Sequence, residues 1–436
     1  MDSREYNLIE RRVRGLSKFI KIFSMVLLVA MFMQPNVYSQ PRDLNQGFAA
    51  VPGERGGQDM FGPYDVVVGW PQNIAELPGH DAWTYGAGQS VFAESPNRVF
   101  MLFRGELPNI DAPQRFVTYQ GNGPGVSFPT AQVPWRNTSV GPRSSLPGSL
   151  DGGDTDRGMY GLDHRWEHAL LVANSDGEIV EEWTQWDHLF RRPHFVTIDP
   201  FDAEKKVWVV DDYRHAIFVF SNDGSELLNT IGVPNVRGND DAHFYRPTFL
   251  TFTEDHVYVA DGYINTRVVK LDKEGNFIMT WGQPGDRGGN ETRPSYFNNV
   301  HGIAINLDRE LVFVNDRGNN RVQIFDYNGN YNNEWSFGSE PTDIHLIYMG
   351  DDGTLWAADR ATSKILGYNQ DGELIYSWGI FGDFPGAFFG VHAMSVDQEG
   401  NFYVAEVGGG RVQKFSPRQG ARTETLIAKP PYVAWD

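Results

Sequence analysis

The sequence of 436 residues contains no cysteine. Without cysteine, the chain has no disulfide to stabilise it and no thiolate that could act as a nucleophile or a metal ligand. Stability must therefore come from a large hydrophobic core. Any transition-metal site must be built from histidine and carboxylate side chains.

Basic residues are scarce relative to acidic ones. The chain has 37 Lys and Arg against 56 Asp and Glu, which gives a formal net charge of −19. Proteins that bind a phosphate backbone need a basic surface, because neutralising the phosphates supplies much of the affinity. We therefore expect no nucleic-acid partner.

The chain also lacks an apolar run long enough to cross a bilayer, which takes about 20 residues. Its most apolar stretch, residues 22–33, is shorter and follows a basic segment with Arg11, Arg12, Arg14, Lys18 and Lys21. This order is typical of a secretory signal. We predict a signal peptide at residues 1–39, with an uncleaved anchor as the alternative. The mature chain is then exported, periplasmic or secreted, with no stable membrane span after cleavage.

Aromatic residues and turn formers are abundant. Aromatics make up 14% of the chain, with 47 glycines and 25 prolines, which suits many short strands joined by tight turns. Five similar stretches occur, each with alternating apolar runs bounded by Gly, Asn and Asp, at residues 194–232, 248–282, 301–338, 342–379 and 392–416. Each predicts four short antiparallel strands, the pattern of a propeller blade.

A sixth blade is divided by an insertion. Residues 89–105 match the first two strands of a blade and residues 169–183 match the last two, so an irregular insertion at about 106–168 lies within the first blade. Such a long excursion is a functional loop or a disordered segment. The strand that closes the ring is either 64–70 or 423–428. We predict an all-β fold, one monomeric six-bladed propeller over residues 40–436.

Three histidines share one position in this pattern. His194, His301 and His392 begin the first strand of the second, fourth and sixth blades, while Ser90, Thr248 and Thr342 stand there in the others. Alternate blades of six are related by about 120°, so the three imidazoles converge on the axis. The alternative is that each ring is a buried histidine bonded to a carbonyl. We predict a catalytic zinc site with an open fourth position, although another divalent transition metal is possible. His345, His80 and His168 share no repeat position with these three and are interpreted as ordinary polar or structural residues.

The loops between the second and third strands lie on the same face as the histidines. They carry Arg104, Arg317 and Arg360 in the first, fourth and fifth blades, and in the third blade a longer loop extends Tyr263 toward the axis. Guanidinium groups bind carboxylates, and a phenol near a cation and a metal can act as a base. The alternatives are salt bridges to the adjacent Asp316 and Asp359, which we favour for Arg360, and simple packing for Tyr263.

These residues resemble the NHL-repeat six-bladed propellers, and among them the peptidyl-α-hydroxyglycine α-amidating lyases. The resemblance covers about Tyr64 to Ser416 without the insertion. Its most specific parts are Arg104-Gly105, Arg192-Pro193-His194-Phe195, Asp261-Gly262-Tyr263, Val300-His301-Gly302, Asp316-Arg317 and Val391-His392. It implies zinc on the three histidines, Tyr263 as the base, and Arg104 and Arg317 on the substrate carboxylate.

The resemblance also implies an activity. A metal-dependent lyase of this family cleaves the C–N bond of a peptidyl-α-hydroxyglycine and releases an amide and glyoxylate, so the expected partner is a small-molecule or peptide substrate with a carboxylate. The family's calcium-binding Asp after the last histidine is Ala393 here, and its nearby Met is Gly390, so a structural calcium is not expected. The alternative function is a non-catalytic propeller that serves as a binding scaffold.

Overall fold

The computed structural model describes residues 60–109, 165–289, 291–337 and 342–431, together with the backbone of 116–119 and 126–129. Within these ranges the chain forms six sheets of four antiparallel strands, which we number as blades one to six with strands a to d from the axis outward. The predicted all-β, six-bladed propeller is thus confirmed. The predicted signal segment, residues 1–39, lies outside the described residues. None of the helices in the described part of the chain is long and apolar enough to cross a membrane.

The first three blades follow one another along the chain. In blade one, strands a to d are Gly88–Ser95, Arg98–Phe103, Leu170–Ala173 and Ile179–Glu182. In blade two they are Pro193–Ile198, Val207–Asp211, Ala216–Phe220 and Leu227–Ile231. In blade three they are Leu250–Phe252, His256–Asp261, Arg267–Asp272 and Phe277–Trp281.

The last three blades complete the ring. In blade four, strands a to d are Val300–Asn306, Leu311–Asp316, Arg321–Asp326 and Tyr331–Ser336. In blade five they are Ile344–Met349, Leu355–Asp359, Lys364–Tyr368 and Leu374–Trp378. In blade six they are Val391–Val396, Phe402–Glu406, Arg411–Pro417 and, as strand d, Tyr64–Val66.

The early strand Tyr64–Val66 closes the ring by pairing with Arg411–Pro417, so the first of the two predicted closing segments is correct. The competing segment contains only a short 3-10 turn, Thr423–Thr425. Closure by the N-terminal segment pairs the outer edge of the last blade. It also ties the two ends of the propeller sequence together.

Smaller elements lie outside the blades. The pairs of short strands are Trp83–Tyr85 with Glu106–Pro108, Phe116–Tyr119 with Val126–Pro129, and Gln283–Pro284 with Tyr296–Phe297. The other 3-10 turns are Ile74–Glu76, Thr184–Leu189 and Arg317–Asn319. The segment 106–168 lies between strands b and c of blade one, as the insertion was expected to, and most of it is outside the described residues.

The core is built between blades rather than at one centre. The apolar residues of strands b and c are almost completely buried on both faces, as in Val207–Asp211 and Ala216–Phe220 of blade two. Glycines in the turns between strands c and d let neighbouring blades approach closely. A Cβ added at Gly224 would lie 2.4 Å from the ring of Trp183, and Gly224 has a φ of +69° that disfavours other residues. The Asp-Gly turns are therefore packing elements as well as hairpins.

Strands a line the axis, where those of neighbouring blades contact one another. They begin on the face of the propeller to which the loops between strands b and c also return, because each strand crosses the sheet once. Side chains at the start of strands a and in these loops are therefore brought together. That face carries the residues that the sequence singled out.

Candidate metal centre

The side chains of His194, His301 and His392 meet on the axis. Their ring centroids lie 4.7, 5.1 and 5.7 Å apart. One nitrogen of each ring lies within 4.8 Å of a nitrogen of each of the other two. All three residues are buried, with exposed fractions of 0, 0 and 3%. The structure thus brings together the three histidines that share a repeat position.

A β-bulge at the start of strand a directs each ring toward the axis. In blade two, the pairing with strand b passes from Pro193 to Phe195 and leaves His194 out of the ladder. The register shifts in the same way at His392, and in blade four it shifts across His301 and Gly302. A bulge re-aims the side chain of the extra residue, and bulges are frequent next to functional sites. The irregular backbone therefore explains why three residues from separate strands converge.

Each of the three rings is fixed by a hydrogen bond from its Nδ1 atom to a backbone carbonyl of the next blade. The pairs are His194 with Thr248 at 3.0 Å, His301 with His345 at 2.8 Å and His392 with Gln89 at 2.6 Å. Because a carbonyl oxygen can only accept, each Nδ1 must carry the proton. The lone pair therefore lies on Nε2, and this arrangement is the usual one for a histidine that binds a metal.

Burial keeps these rings neutral. It lowers the pKa of His194 and His301 well below the usual range, and the neighbouring His392 and Arg317 respectively lower it further. Burial likewise lowers the pKa of His392 to about 3, and Arg104 contributes to this. A neutral imidazole is the form that binds metal. The donor set of three neutral imidazoles, with no cysteine in the chain, therefore suits a divalent metal such as zinc.

In blades one and five, the residue that lies at the axis is not the one that the sequence predicted. Gln89 and His345, rather than Ser90 and Thr342, supply the carbonyl oxygens that the axial histidines bind. The predicted positions were wrong because the bulge adds a residue in blade one and because strand a of blade five begins only at Ile344. The axis is thus surrounded by four histidines instead of three.

His345 is the residue that sequence reasoning missed on the axis. Its ring centroid lies 5.1 Å from that of His301 and 5.2 Å from that of His392. It is 3% exposed, and among the described residues its Nδ1 atom has no hydrogen-bond partner. It does not join the three histidines within 4.8 Å, so it lies in the wall of the centre rather than in the ligand set. Ile344 directly precedes His345, just as Val300 directly precedes His301, and this shared pair of residue types could have identified His345 from the sequence.

Tyr263 lies directly over the three-histidine cluster. Its hydroxyl oxygen is 3.1 Å from Nε2 of His194 and 3.1 Å from Nε2 of His301. The loop that carries it approaches blade four closely because residue 262 is glycine. A Cβ at Gly262 would lie 1.8 Å from the carbonyl oxygen of Val300. The glycine therefore allows the phenol to reach the histidine nitrogens.

Three guanidinium groups lie over the ring of Tyr263. The distances to its centroid are 4.4 Å for Arg246, 5.8 Å for Arg192 and 5.7 Å for Arg317. Asp212, which is fully buried, holds Arg246 through contacts of 2.7 and 2.5 Å and lies 3.5 Å from Arg192. Cations over an aromatic face are attracted to it and restrict its motion. Sequence reasoning missed Arg192 and Arg246 in this role because they precede strands a in loops that do not repeat.

The arginines of the loops between strands b and c do not all have the partners that the sequence suggested. Arg317 and Arg360 lie 3.7 and 3.6 Å from one carboxylate, that of Asp343, rather than forming salt bridges with the adjacent Asp316 and Asp359. Those alternatives were wrong. Asp316 forms its salt bridge with Arg321 instead, at 2.9 Å. Asp359 accepts hydrogen bonds from the hydroxyl of Thr362 and the backbone N–H of Ala361 in its own loop.

Arg104 is placed on the opposite side of the axis from blade four. It is 2% exposed, and its Nη2 atom donates to Oε1 of Gln89 at 3.0 Å. Because Gln89 also accepts from His392, Arg104 is connected to the histidine cluster through one intervening residue. Tyr263, Arg104 and Arg317 therefore lie around the same three histidines, and their roles in catalysis and substrate binding stay predictions.

Comparison with known proteins gives consistent matches. The family described as NHL repeat matches residues 297–325. The chain is 27% identical over 252 residues to a probable peptidyl-alpha-hydroxyglycine alpha-amidating lyase of Caenorhabditis elegans, a match that covers 56% of this chain and 68% of that protein. It is 29% identical over 261 residues to peptidyl-glycine alpha-amidating monooxygenase A of Xenopus laevis, which covers 58% of this chain but only 27% of that protein.

A further relative is named for its repeats alone. The chain is 28% identical over 271 residues to NHL repeat-containing protein 3 of Mus musculus, a match that covers 57% of this chain and 72% of that protein. The resemblance drawn from the sequence motifs is confirmed. The chain is a six-bladed β-propeller with an NHL repeat, and it resembles the peptidyl-α-hydroxyglycine α-amidating lyases.

Proposed function

We propose that this protein is a metal-dependent lyase that cleaves the C–N bond of an α-hydroxyglycine-type substrate and releases an amide and glyoxylate. The observation that carries the proposal is the position of the Tyr263 hydroxyl, 3.1 Å from the Nε2 atoms of two histidines of a three-histidine cluster. A proton acceptor beside a metal-binding set is the arrangement that this cleavage needs. Relatives named as amidating lyases support the reaction class.

His194, His301 and His392 would hold the metal, since their Nδ1 protons are bound by backbone carbonyls and their Nε2 atoms lie together. A divalent metal held there supplies a Lewis acid that polarises the substrate hydroxyl and carbonyl oxygens. We propose zinc as the metal, and another divalent transition metal remains possible for a set of three imidazoles.

The side chains of this chain perform the proton transfer. Tyr263 accepts the proton of the substrate hydroxyl, the oxygen forms a C=O bond to the same carbon, and the C–N bond breaks as its electron pair moves to nitrogen. The proton passes from Tyr263 to that nitrogen, which gives the amide. Atoms and electrons balance without an oxidant or a second substrate. Tyr263 must begin this step as the phenolate and become a neutral phenol when it takes the proton. The guanidinium groups of Arg246 and Arg317, 4.4 and 5.7 Å from its ring centroid, are attracted to that starting negative charge.

Arg317 and Arg104 would hold the carboxylate that becomes part of glyoxylate. Arg317 lies 5.7 Å from the centroid of the Tyr263 ring, so a carboxylate bound by it lies next to the phenol. Its contact with Asp343 is long, at 3.7 Å, and a bidentate carboxylate forms a stronger pair. The arginines would thus fix one end of the substrate beside Tyr263, which orients the C–N bond for cleavage.

The direct experiment is glyoxylate release from a peptide that ends in α-hydroxyglycine, with purified zinc-loaded protein. The proposal expects turnover that depends on metal and on Tyr263. A protein that holds metal but releases no glyoxylate from such peptides would contradict the lyase proposal. The binding-scaffold alternative expects this result, and the match to a relative named only for its NHL repeats keeps that alternative open.

Several expectations drawn from the sequence stay predictions. We still predict that the chain is exported after residues 1–39 are removed and that it divides into a signal segment and one propeller. The N-terminal residue of the exported protein would test both. The monomeric state, the absence of a nucleic-acid partner and the absence of a structural calcium likewise stay predictions. The whole-protein activity is a proposal, because the match spans 27% of the Xenopus laevis relative.

A further inference from the structure

A second cluster of potential metal ligands lies at the base of the insertion in blade one. It consists of His80, Glu106, Glu167 and His168, and one nitrogen or oxygen atom of each lies within 4.8 Å of the others. None of these residues belongs to the axial centre. Sequence reasoning interpreted both histidines as ordinary polar or structural residues, because neither occupies a repeated position.

Glu106 is the centre of this cluster. Its side chain is fully buried, and its two carboxylate oxygens contact two imidazoles, at 2.5 Å from Nδ1 of His168 and 2.9 Å from Nδ1 of His80. The two rings are 4.7 Å apart and nearly perpendicular. A buried charge is costly unless it is paired or coordinates a metal. The cluster therefore gathers two imidazole nitrogens and a buried carboxylate at one point.

The far side of the His168 ring is also bound by a carboxylate. Nε2 of His168 lies 2.8 Å from Oε2 of Glu182, so the ring is held between two acidic groups. Histidines that bind metals usually donate their other N–H to a carboxylate in this way. His168 also has a φ of +56°, which is uncommon for a residue other than glycine and marks a position held by its surroundings. Asp187 contributes to this by accepting from the backbone N–H of His168 at 3.0 Å.

Arg165 provides the competing explanation. Its Nη1 atom lies 3.3 Å from Nδ1 of His80 and 3.9 Å from Glu106, so the cluster could be an ion-pair network without a metal. Burial lowers the pKa of His168, but its hydrogen bonds to Glu106 and Glu182 raise the pKa above the usual value overall. A metal that binds here must therefore displace a proton as well as the arginine. The Arg165 side chain is 28% exposed, which leaves it room to move away.

We propose that His80, Glu106, Glu167 and His168 bind a divalent transition metal through two imidazole nitrogens and two carboxylate oxygens. Mixed nitrogen and oxygen ligands of this kind suit zinc, manganese or iron rather than calcium or magnesium. Glu106 lies at the start of the insertion and Glu167 and His168 at its end, while His80 precedes blade one. The metal would therefore join both ends of the insertion to the segment that connects strand d of blade six with blade one.

The test is the metal stoichiometry of the full-length protein. The chain is stripped with a chelator, equilibrated with Zn²⁺ or Mn²⁺, and freed of excess ion before its metal content is measured. The wild type is expected to bind two equivalents. The double variant His80→Ala, His168→Ala is expected to bind one, and adding His301→Ala to it is expected to leave none. A wild type that binds no more metal than the double variant would overturn the proposal.

A milder variant covers the case in which the double variant does not fold. The Glu167 side chain is 47% exposed, so Glu167→Gln removes a proposed ligand without emptying the core. Its matched control is Glu178→Gln, an exposed glutamate in the turn of the same blade. We expect Glu167→Gln to weaken metal binding at this site by tenfold or more. Equal affinities for the two variants would show that Glu167 is not a ligand and would overturn the proposed set.

Discussion

The hydroxyl oxygen of Tyr263 lies 3.1 Å from Nε2 of His301, although 38 positions separate the two residues along the chain. The phenol comes from a loop of blade three, and the imidazole from a bulge at the start of blade four. Gly262 permits this approach, because any larger residue would collide with the backbone of Val300. The relationship is the basis of the proposed proton transfer.

Replacing Tyr263 with phenylalanine should remove the proton acceptor and leave the metal ligands in place. Proton transfer by a positioned side chain contributes about 10² to 10⁴ in rate, so we expect a loss of that order in kcat for glyoxylate release. The metal content should not change. The control is Tyr331→Phe, which removes an exposed hydroxyl from a strand d. Full activity of Tyr263→Phe would exclude the phenol as the base.

Replacing Arg317 with glutamine should weaken the binding of the substrate carboxylate. A hydrogen bond to a charged group contributes about 1.5–3 kcal/mol, so KM should rise by about tenfold or more. Arg360→Gln is the matched comparison, because both arginines contact Asp343 but the Arg360 side chain is 48% exposed. An equal rise in KM for both variants would assign the effect to the charge of this region instead of to Arg317.

Replacing His345 with alanine tests whether this fourth axial histidine binds the metal or only packs beside the three histidines that do. The ring is buried beside His301 and His392 but lies outside the ligand distance of the cluster. Removing it should cost about 2–4 kcal/mol of unfolding free energy through the cavity that remains. The backbone carbonyl that binds His301 is retained, so we expect the metal content to equal that of the wild type. A variant that loses the axial metal would make His345 a ligand.

The stability of the metal-free protein should depend on pH through the axial histidines. In the unfolded chain His392 takes up a proton near its usual pKa of about 6.5, whereas burial lowers its pKa in the folded state to about 3. Below pH 6.5 the unfolded state therefore binds more protons, and the free energy of unfolding falls as the pH decreases.

The variant His392→Gln isolates this contribution in urea unfolding with a chelator present. Between pH 6 and 4 the wild type should lose about 1.4 kcal/mol per pH unit more than the variant, which corresponds to one proton. His243→Gln, which alters a histidine on the surface, should behave as the wild type does. Parallel pH profiles for His392→Gln and the wild type would contradict the lowered pKa.

The architecture could be predicted from the sequence because each blade repeats the same local signals. Alternating apolar runs recur in each copy, and a turn that ends in glycine joins strands c and d in blades one to five. Most of these glycines pack against a tryptophan that follows or belongs to the preceding blade, as Gly224 packs on Trp183. His194, His301 and His392 could be identified because they recur at one repeat position, and symmetry then requires them to converge.

His345 was missed because the repeat position of blade five was set at Thr342, whereas strand a begins at Ile344 and carries at His345 the same bulge that blade four carries at His301. Arg192 and Arg246 were missed because they lie in loops of unequal length, where no repeat fixes their direction. The cluster of His80, Glu106 and His168 joins segments that are far apart in the chain, and only the folded structure places them together.

Zinc content of the wild type beside the variant His301→Ala tests the central claim most directly, with His243→Ala as the control. If three imidazoles from alternate blades hold one metal, His301→Ala should lose one equivalent of zinc per chain, and His243→Ala should lose none. A folded His301→Ala protein with the full zinc content of the wild type would contradict the account, because it would show that the axial histidines bind no metal.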